Sequence, residues 1–324
     1  MSDQHPSSSC WIVCDEGKVG TQNQCVGLAE GLGYVPQIFQ VKARFPWSLL
    51  PASMWPWALS GLEAPGLKAP WPSLIIGAGR ASVAPTAAIR ALTKGKTRVI
   101  QLQNPRVNPA LFDAIISPRH DALQGPNVIE TKGALHRVTT TRLEHEAARF
   151  ASLFEGMPRP ITTVLIGGTN RCYDLTPDSI RKLVANLKTA LAQIGGSLAV
   201  TISRRTEPEN IRVLEEALQD VPAVLWSGQG ENPYFGFLGL ADYVVVTCDS
   251  VSMTSEACAT GKPVYVAFLP GGSRKFKAFH QFFQQEKLTR PFEGVLEDWP
   301  NPPLQEMDKV ISVLKTRLNL GLCS

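Results

Sequence analysis

Residues 241–266, ADYVVVTCDSVSMTSEACATGKPVYV, hold the pattern that decides the fold. An unbroken apolar run ends in a loop of small polar groups. A helix-forming stretch follows, and Gly261-Lys262-Pro263 turns the chain into a second apolar run. Strand, helix and strand in close succession, with valines on successive positions instead of alternate ones, is the pattern of parallel strands buried on both faces. Where the first strand gives way to helix stand Asp249, Ser250, Ser252, Thr254, Ser255 and Glu256. A helix starting near Ser252 leaves amide groups unpaired and a partial positive charge at that end, and phosphate oxygens would satisfy both. The hydroxyls of Ser252, Thr254 and Ser255 add donors, and Glu256 can accept from two vicinal hydroxyls of a ribose. Equally, Ser252 can simply cap the helix, with Glu256 as an acid favoured by the helix dipole.

The same grammar extends outward. CWIVC (10–14), VPQIFQV (35–41), PSLIIGAG (72–79), TRVIQL (97–102) and DAIISP (113–118) read as strands, with helical stretches such as CVGLAEGLG and ASVAPTAAIRALTKG between them. TRLEHEAARFASLFEG (141–156) is predicted to be a helix closing this half, and MPRP to be a linker. ITTVLIGGTN, SLAVTIS, PAVLW, DYVVV and PVYVAF supply the strands of a second half. Its helices carry Thr176 as N-cap with Pro177 and Asp178 behind it, and a capping box of Thr206 and Glu209. The expected fold is α/β, two Rossmann-like doubly wound parallel-sheet domains at 1–155 and 156–300, followed by an amphipathic terminal helix within 301–324.

Composition sets outer limits. A chain of 324 residues, 44% hydrophobic and 19% charged, suits a globular protein of about two domains. The formal charge of +4 lacks the dense basic stripe of a nucleic-acid binder, and the excess lies N-terminal of residue 155. Seven cysteines without a CxxC pair or a histidine at zinc spacing imply reduced thiols and no metal site. MSDQHPSSSC has neither the basic nor the apolar part of a secretion signal, and no apolar run is long enough to span a bilayer. A cytoplasmic location follows as the expectation.

In open parallel sheets ligands bind beyond the carboxyl ends of the strands, so the loops there are the candidate sites. Gly167, Gly168, Thr169, Asn170 and Arg171 leave one strand; the glycines would let backbone approach a diphosphate that Arg171 neutralises, or simply make a tight turn. Arg204 and Arg205 follow the next strand, and WSGQGENPYFG (226–236) either offers backbone groups and an aromatic near where a base could stack or is an ordinary loop in which Asn232-Pro233 starts a turn. In the first half Asp15 and Glu16 are candidate bases for an acceptor hydroxyl, with Lys18 and Gln22 to position it, though an acidic pair after a strand also makes a turn or cap. His120 beside Asp121 is a second candidate base, provided that the pair lies in a loop. Arg80 in GAGR and Arg106 in QNPRVNP are candidate anion ligands. The glycine spacing of a dinucleotide fingerprint is missing.

Residues 241–266 resemble the nucleotide-sugar segment of GT-B glycosyltransferases, especially the enzyme that adds N-acetylglucosamine in peptidoglycan synthesis. The likeness lies in the Ser-Glu pair opening a helix and the Gly-x-Pro before the next strand. Across nearly the whole chain, the order DEGKVGTQNQCVGLAEGLG, IIGAGR, QLQNPR, FDAIISPRHD and VLIGGTNRCY resembles the mitochondrial fission Elm family, in the form of a bacterial member. The resemblance implies a GT-B architecture, with an acceptor-side domain, a donor-side domain, a central cleft and a terminal helix crossing back. It also implies Glu256 as ribose ligand. The histidine of the peptidoglycan enzyme's first loop is missing.

The implied function is a glycosyltransferase that needs no cofactor, takes a nucleotide-diphosphate sugar as substrate and acts on an envelope or lipid-linked acceptor. Inversion by a general base is the simplest mechanism, with helix dipoles and Arg171 or Arg274 stabilising the departing diphosphate. Two rivals stand beside it: a non-catalytic protein that recruits a dynamin-like membrane-remodelling GTPase, and a nucleotide-sugar epimerase. FPWSLLPASMWPWALSG (45–61) places Trp47, Trp55 and Trp57 near Lys42 and Arg44. These tryptophans are either core or a peripheral contact with the inner membrane.

Overall fold

A computed structural model describes residues 9–55 and 62–319, and its contacts divide the chain into two compact units, 1–137 with 305–324 and 138–304. In unit 1 the elements are β1 (Cys10–Asp15), α1 (Val19–Gly31), β2 (Pro36–Ala43), β3 (Leu62–Glu63), β4 (Leu74–Ala78), α2 (Arg80–Leu92), β5 (Arg98–Leu102), β6 (Ala114–Pro118) and β7 (Val128–Thr131). In unit 2 they are α3 (Thr140–Phe150), β8 (Ile161–Ile166), α4 (Pro177–Ile194), β9 (Ser197–Ile202), α5 (Pro208–Ala217), β10 (Ala223–Trp226), α6 (Tyr234–Leu240), β11 (Tyr243–Thr247), α7 (Val251–Cys258), β12 (Val264–Ala267), α8 (Arg274–Gln285) and β13 (Arg290–Pro291). The terminal helix α9 (Glu306–Leu318) belongs to unit 1.

The sheet of unit 1 runs β3-β2-β1-β4-β5-β6-β7, parallel throughout except for the short antiparallel β3. Successive residues of β1 explain its continuous apolar sequence. Ile12 and Cys14 pack with Cys25 and Leu28 of α1 and with Val310 and Leu314 of α9. Trp11 and Val13 point the other way, into a core with Ala84, Ala87 and Ile89 of α2. Both faces are therefore covered, so both sets of positions must be apolar. α9 seats closely on α1, because Gly31 leaves room for Ile311: a Cβ there would lie 2.3 Å from the Ile311 Cδ1.

The sheet of unit 2 runs β10-β9-β8-β11-β12-β13, all parallel. Helix α4 starts as its sequence dictates, with the Thr176 hydroxyl accepting the Ser179 amide at 3.2 Å and Pro177 in the first turn. The capping box does not form. Thr206 is buried and donates to the Gly167 carbonyl, and Glu207 takes the cap position of α5 without a side-chain bond. Helix α3, which the sequence places before the division at 155, lies in unit 2 against α6. The reason is two glycines: a Cβ on Gly239 would lie 2.4 Å from the Leu143 carbonyl oxygen, and one on Gly236 would lie 2.6 Å from Phe150. β3, β7, α6, β13 and α8 have no counterpart among the elements read from the sequence, although Phe276, Phe279, His280 and Phe283 carry the helical period of α8.

Candidate functional site

Both sheets reverse their strand order once, and in each an aspartate of the chain itself lies at that switch point. In unit 2 the switch falls between β8 and β11. The Asp249 carboxylate is fully buried there and accepts from the Arg205 guanidinium at 2.6 Å, the Gly168 amide at 3.0 Å and the Thr247 hydroxyl at 2.6 Å. Gly167 and Gly168 make this possible. A Cβ on Gly167 would sit 2.1 Å from Asp249 Oδ2, and one on Gly168 would sit 2.1 Å from the Arg205 carbonyl oxygen. The glycine pair expected to admit a diphosphate thus admits Asp249 and the backbone of Arg205.

The rest of that loop is held internally. Asn170 Oδ1 accepts the amides of Cys172 and Tyr173, and its Nδ2 donates to the Asp249 carbonyl at 3.1 Å. The Thr169 hydroxyl donates to Asp174 and accepts from Leu175. Tyr173 bridges to Gly271, and the Asp174 amide donates to the Pro270 carbonyl, so the loops after β8 and β12 are joined. Arg171 and Arg204 are exposed beside this structure.

The cap of helix α7 lies two residues earlier than the one expected from sequence. Ser250, and not Ser252, is its cap, accepting the Met253 amide at 3.3 Å. Thr254 and Ser255 are buried, and their hydroxyls donate back to the carbonyls of Ser250 and Val251 at 3.0 and 2.8 Å. Those two hydroxyl protons are engaged within the helix itself. Ser252 is half-buried on the first turn.

Glu256 lies in the second turn of α7, beyond the first-turn position at which a dipole would favour an acid. Its Oε2 accepts from the Tyr234 hydroxyl at 2.5 Å. Burial pushes its carboxyl up to about 7, against the opposing effect of the Tyr234 bond. Tyr234, one of the aromatics of the 226–236 stretch, thus donates its hydroxyl to the candidate ribose ligand.

In unit 1 the switch falls between β1 and β4. Asp15 Oδ2 and Oδ1 accept the Arg80 and Ala81 amides at 3.1 and 2.7 Å, capping α2 from across the sheet. A Cβ on Gly79 would lie 2.6 Å from that carboxylate. Burial raises the Asp15 pKa, and the two amides oppose the shift. Beside it a cavity of about 300 Å³ is lined by Asp15, Glu16, Lys18, Lys42, Trp55 and Arg80, among others. Glu16 is exposed and pairs with Lys42 at 3.8 Å, and Gln22 Oε1 accepts from Gln40 at 3.0 Å. The Arg80 guanidinium donates to the carbonyls of Trp47, Ser48 and Leu50, so it braces the 47–50 turn.

His120 and Asp121 do sit in a turn after β6, with both side chains buried and His120 Nε2 3.9 Å from Asp121 Oδ1. Three strand spacings separate β6 from β1, about 14 Å. Arg106 is exposed, and its amide donates to Asn104 at 2.8 Å.

Trp55 is 5% exposed and its indole donates to the Leu50 carbonyl, while Trp47 packs partly against the same core. Trp57 lies outside the described residues. Among the described residues of this segment, Phe45, Leu49 and Met54, at 80%, 73% and 62% exposure, are the large apolar groups that face solvent. No helix among the described residues is long and apolar enough to cross a membrane.

Two parallel-sheet α/β units of this kind form a GT-B fold. UDP-GlcNAc 2-epimerase from Neisseria meningitidis, solved bound to UDP-GlcNAc, has the same architecture with a TM-score of 0.51 and 14% identity, over 96% of this chain and 100% of that one. A UDP-glucosyltransferase from Polygonum tinctorium gives 0.50 and 12% identity, over 96% and 89%. A family model described as mitochondrial fission ELM1 matches residues 19–318. The mitochondrial fission protein ELM1 of Arabidopsis thaliana is 32% identical over 274 residues, 76% of this chain and 64% of that protein. The chain belongs to the mitochondrial fission ELM1 family, and it spans just under two thirds of that plant relative.

Proposed function

We propose that unit 2 binds a nucleotide-diphosphate sugar, with Glu256 taking the vicinal hydroxyls of the ribose, and that the protein transfers the sugar to an envelope or lipid-linked acceptor. The observation that carries this is Glu256 itself. A carboxylate partly buried on the second turn of α7, with the Tyr234 hydroxyl on Oε2, needs further donors to remain ionised there, and a diol supplies two. The likeness to enzymes of UDP-sugars supports the reading at the level of fold. For the acceptor, the unit 1 cavity offers Lys18, Lys42 and Arg80. For the peripheral membrane contact, Phe45, Leu49 and Met54 supply exposed apolar groups, with Lys42 and Arg44 nearby.

Calorimetry with uridine, guanosine and cytidine diphosphates, on wild type and Glu256→Ala, tests the site. Binding by the wild type alone supports it. If none of the three binds, the donor reading falls. The second reading is a recruitment protein that retains the scaffold, and the aspartates at the two switch points favour it, because each places a carboxylate where an anionic ligand would meet the sheet. Nucleotide binding without sugar turnover would select it.

A further inference from the structure

Tyr234 is the first residue of α6, and the structure surrounding it leaves it little freedom. Its amide donates to the Asn232 side chain at 3.0 Å, which ties the preceding turn to the helix. Its ring meets Phe235 edge-on at 5.4 Å, and Phe235 lies under the Arg142 guanidinium of α3 at 4.5 Å. Gly236 and Gly239 bring α6 against α3 at backbone distance. From this fixed base the hydroxyl reaches Oε2 of Glu256 at 2.5 Å. Among the described residues, Tyr234 is the titratable group that acts on that carboxyl.

We propose that Tyr234 is a positioning residue for a vicinal-diol ligand: its hydroxyl fixes the plane of the Glu256 carboxylate and leaves Oε1 and the second lone pair of Oε2 to accept two adjacent hydroxyls. This rests on Glu256 as the diol acceptor. A bond from a rigid phenol sets the carboxylate before the ligand arrives, so the ordering of that side chain is not charged against binding. It also favours the ionised form that a diol requires, opposing the burial that favours the protonated one. A ligand with a single hydroxyl, or none, would gain nothing from the arrangement.

The test uses the full chain and the nucleoside diphosphate that binds best among uridine, guanosine and cytidine diphosphates, beside its 2′,3′-dideoxy form. Tyr234→Phe is expected to weaken the ribonucleotide by about tenfold, the effect of a hydrogen bond lost to a charged group, and to leave the dideoxy form unchanged. The pH at which ribonucleotide affinity is half-maximal should rise in the variant. In a Glu256→Gln background the same substitution should have no further effect. Equal loss for both ligands, or no loss for the ribonucleotide, overturns the positioning role even if Glu256→Ala still abolishes the preference for the diol. If wild type shows no preference between the two ligands, or binds neither, the diol reading of Glu256 fails and Tyr234 with it.

Discussion

Asp249 and Arg205 form an ion pair at the unit 2 switch point in which the carboxylate is fully buried while the guanidinium remains partly solvated, 40% exposed, at a separation of 2.6 Å. The asymmetry determines what each side chain is worth. Removing the cation leaves a buried anion with the Gly168 amide and the Thr247 hydroxyl still in place. Removing the anion takes the acceptor from the buried Gly168 amide and Thr247 hydroxyl, while the guanidinium keeps solvent and its bond to the Gly168 carbonyl.

Asp249→Ala should therefore destabilise unit 2 by about 3–5 kcal/mol, and Arg205→Ala by about 1.5–3 kcal/mol. Urea denaturation curves for the two variants check the order. An equal or reversed loss would show that the guanidinium, and not the amide and hydroxyl, holds the carboxylate.

Gly167→Ala places a methyl 2.1 Å from the Asp249 carboxylate, whereas Gly228→Ala meets nothing within 4 Å and carries only the strain of its positive φ. The first should cost more than about 3 kcal/mol and the second about 1 kcal/mol. Thermal melts that fail to separate the pair would mean that the Asp249 loop moves aside freely.

Glu256 gives the fold a pH dependence of defined sign. Its carboxyl rises from an ordinary 4.5 to about 7 on folding, so the folded state holds the proton more tightly than the unfolded one. The stability it contributes is present below pH 4.5 and is lost as pH climbs through 7. The stability of wild type relative to Glu256→Gln should fall between pH 5 and pH 8, measured by urea titration at each pH. A difference that stays flat would place the carboxyl in contact with bulk water.

Asp15→Ala removes the acceptor of the first two amides of α2 and should cost about 1–2 kcal/mol. Asp15→Asn, which retains one carbonyl acceptor, should recover part of it. If Asp15 acts instead only as a base, neither variant will move the denaturation midpoint.

For the membrane contact, co-sedimentation with anionic vesicles should weaken in a Phe45→Ser, Leu49→Ser, Met54→Ser triple variant that keeps its melting temperature. Trp55→Ala should instead lower the melting temperature, because that side chain is 5% exposed and lies in the core. Vesicle binding unchanged by the triple variant removes this surface from consideration.

The sequence by itself determined the alternation of elements and the parallel sheets. Ile12 and Val13 are both apolar because both faces of β1 are covered, and the Thr176-Pro177 start of α4 is a local matter of cap and φ. It also singled out the strand ends, Glu256 included, as the places to look. What only the tertiary structure decided is which partner each strand-end residue meets. The glycines at 167 and 168, the hydroxyls of Thr254 and Ser255 and the carboxylate of Asp15 have the chemistry of a phosphate or acceptor site. Each is engaged by a group distant in sequence or by a turn of its own helix. Donor and acceptor character is written in a residue's name, but the neighbour that satisfies it comes from strand order. That order set Asp249 beside Gly168, 81 residues away, and Tyr234 against Glu256.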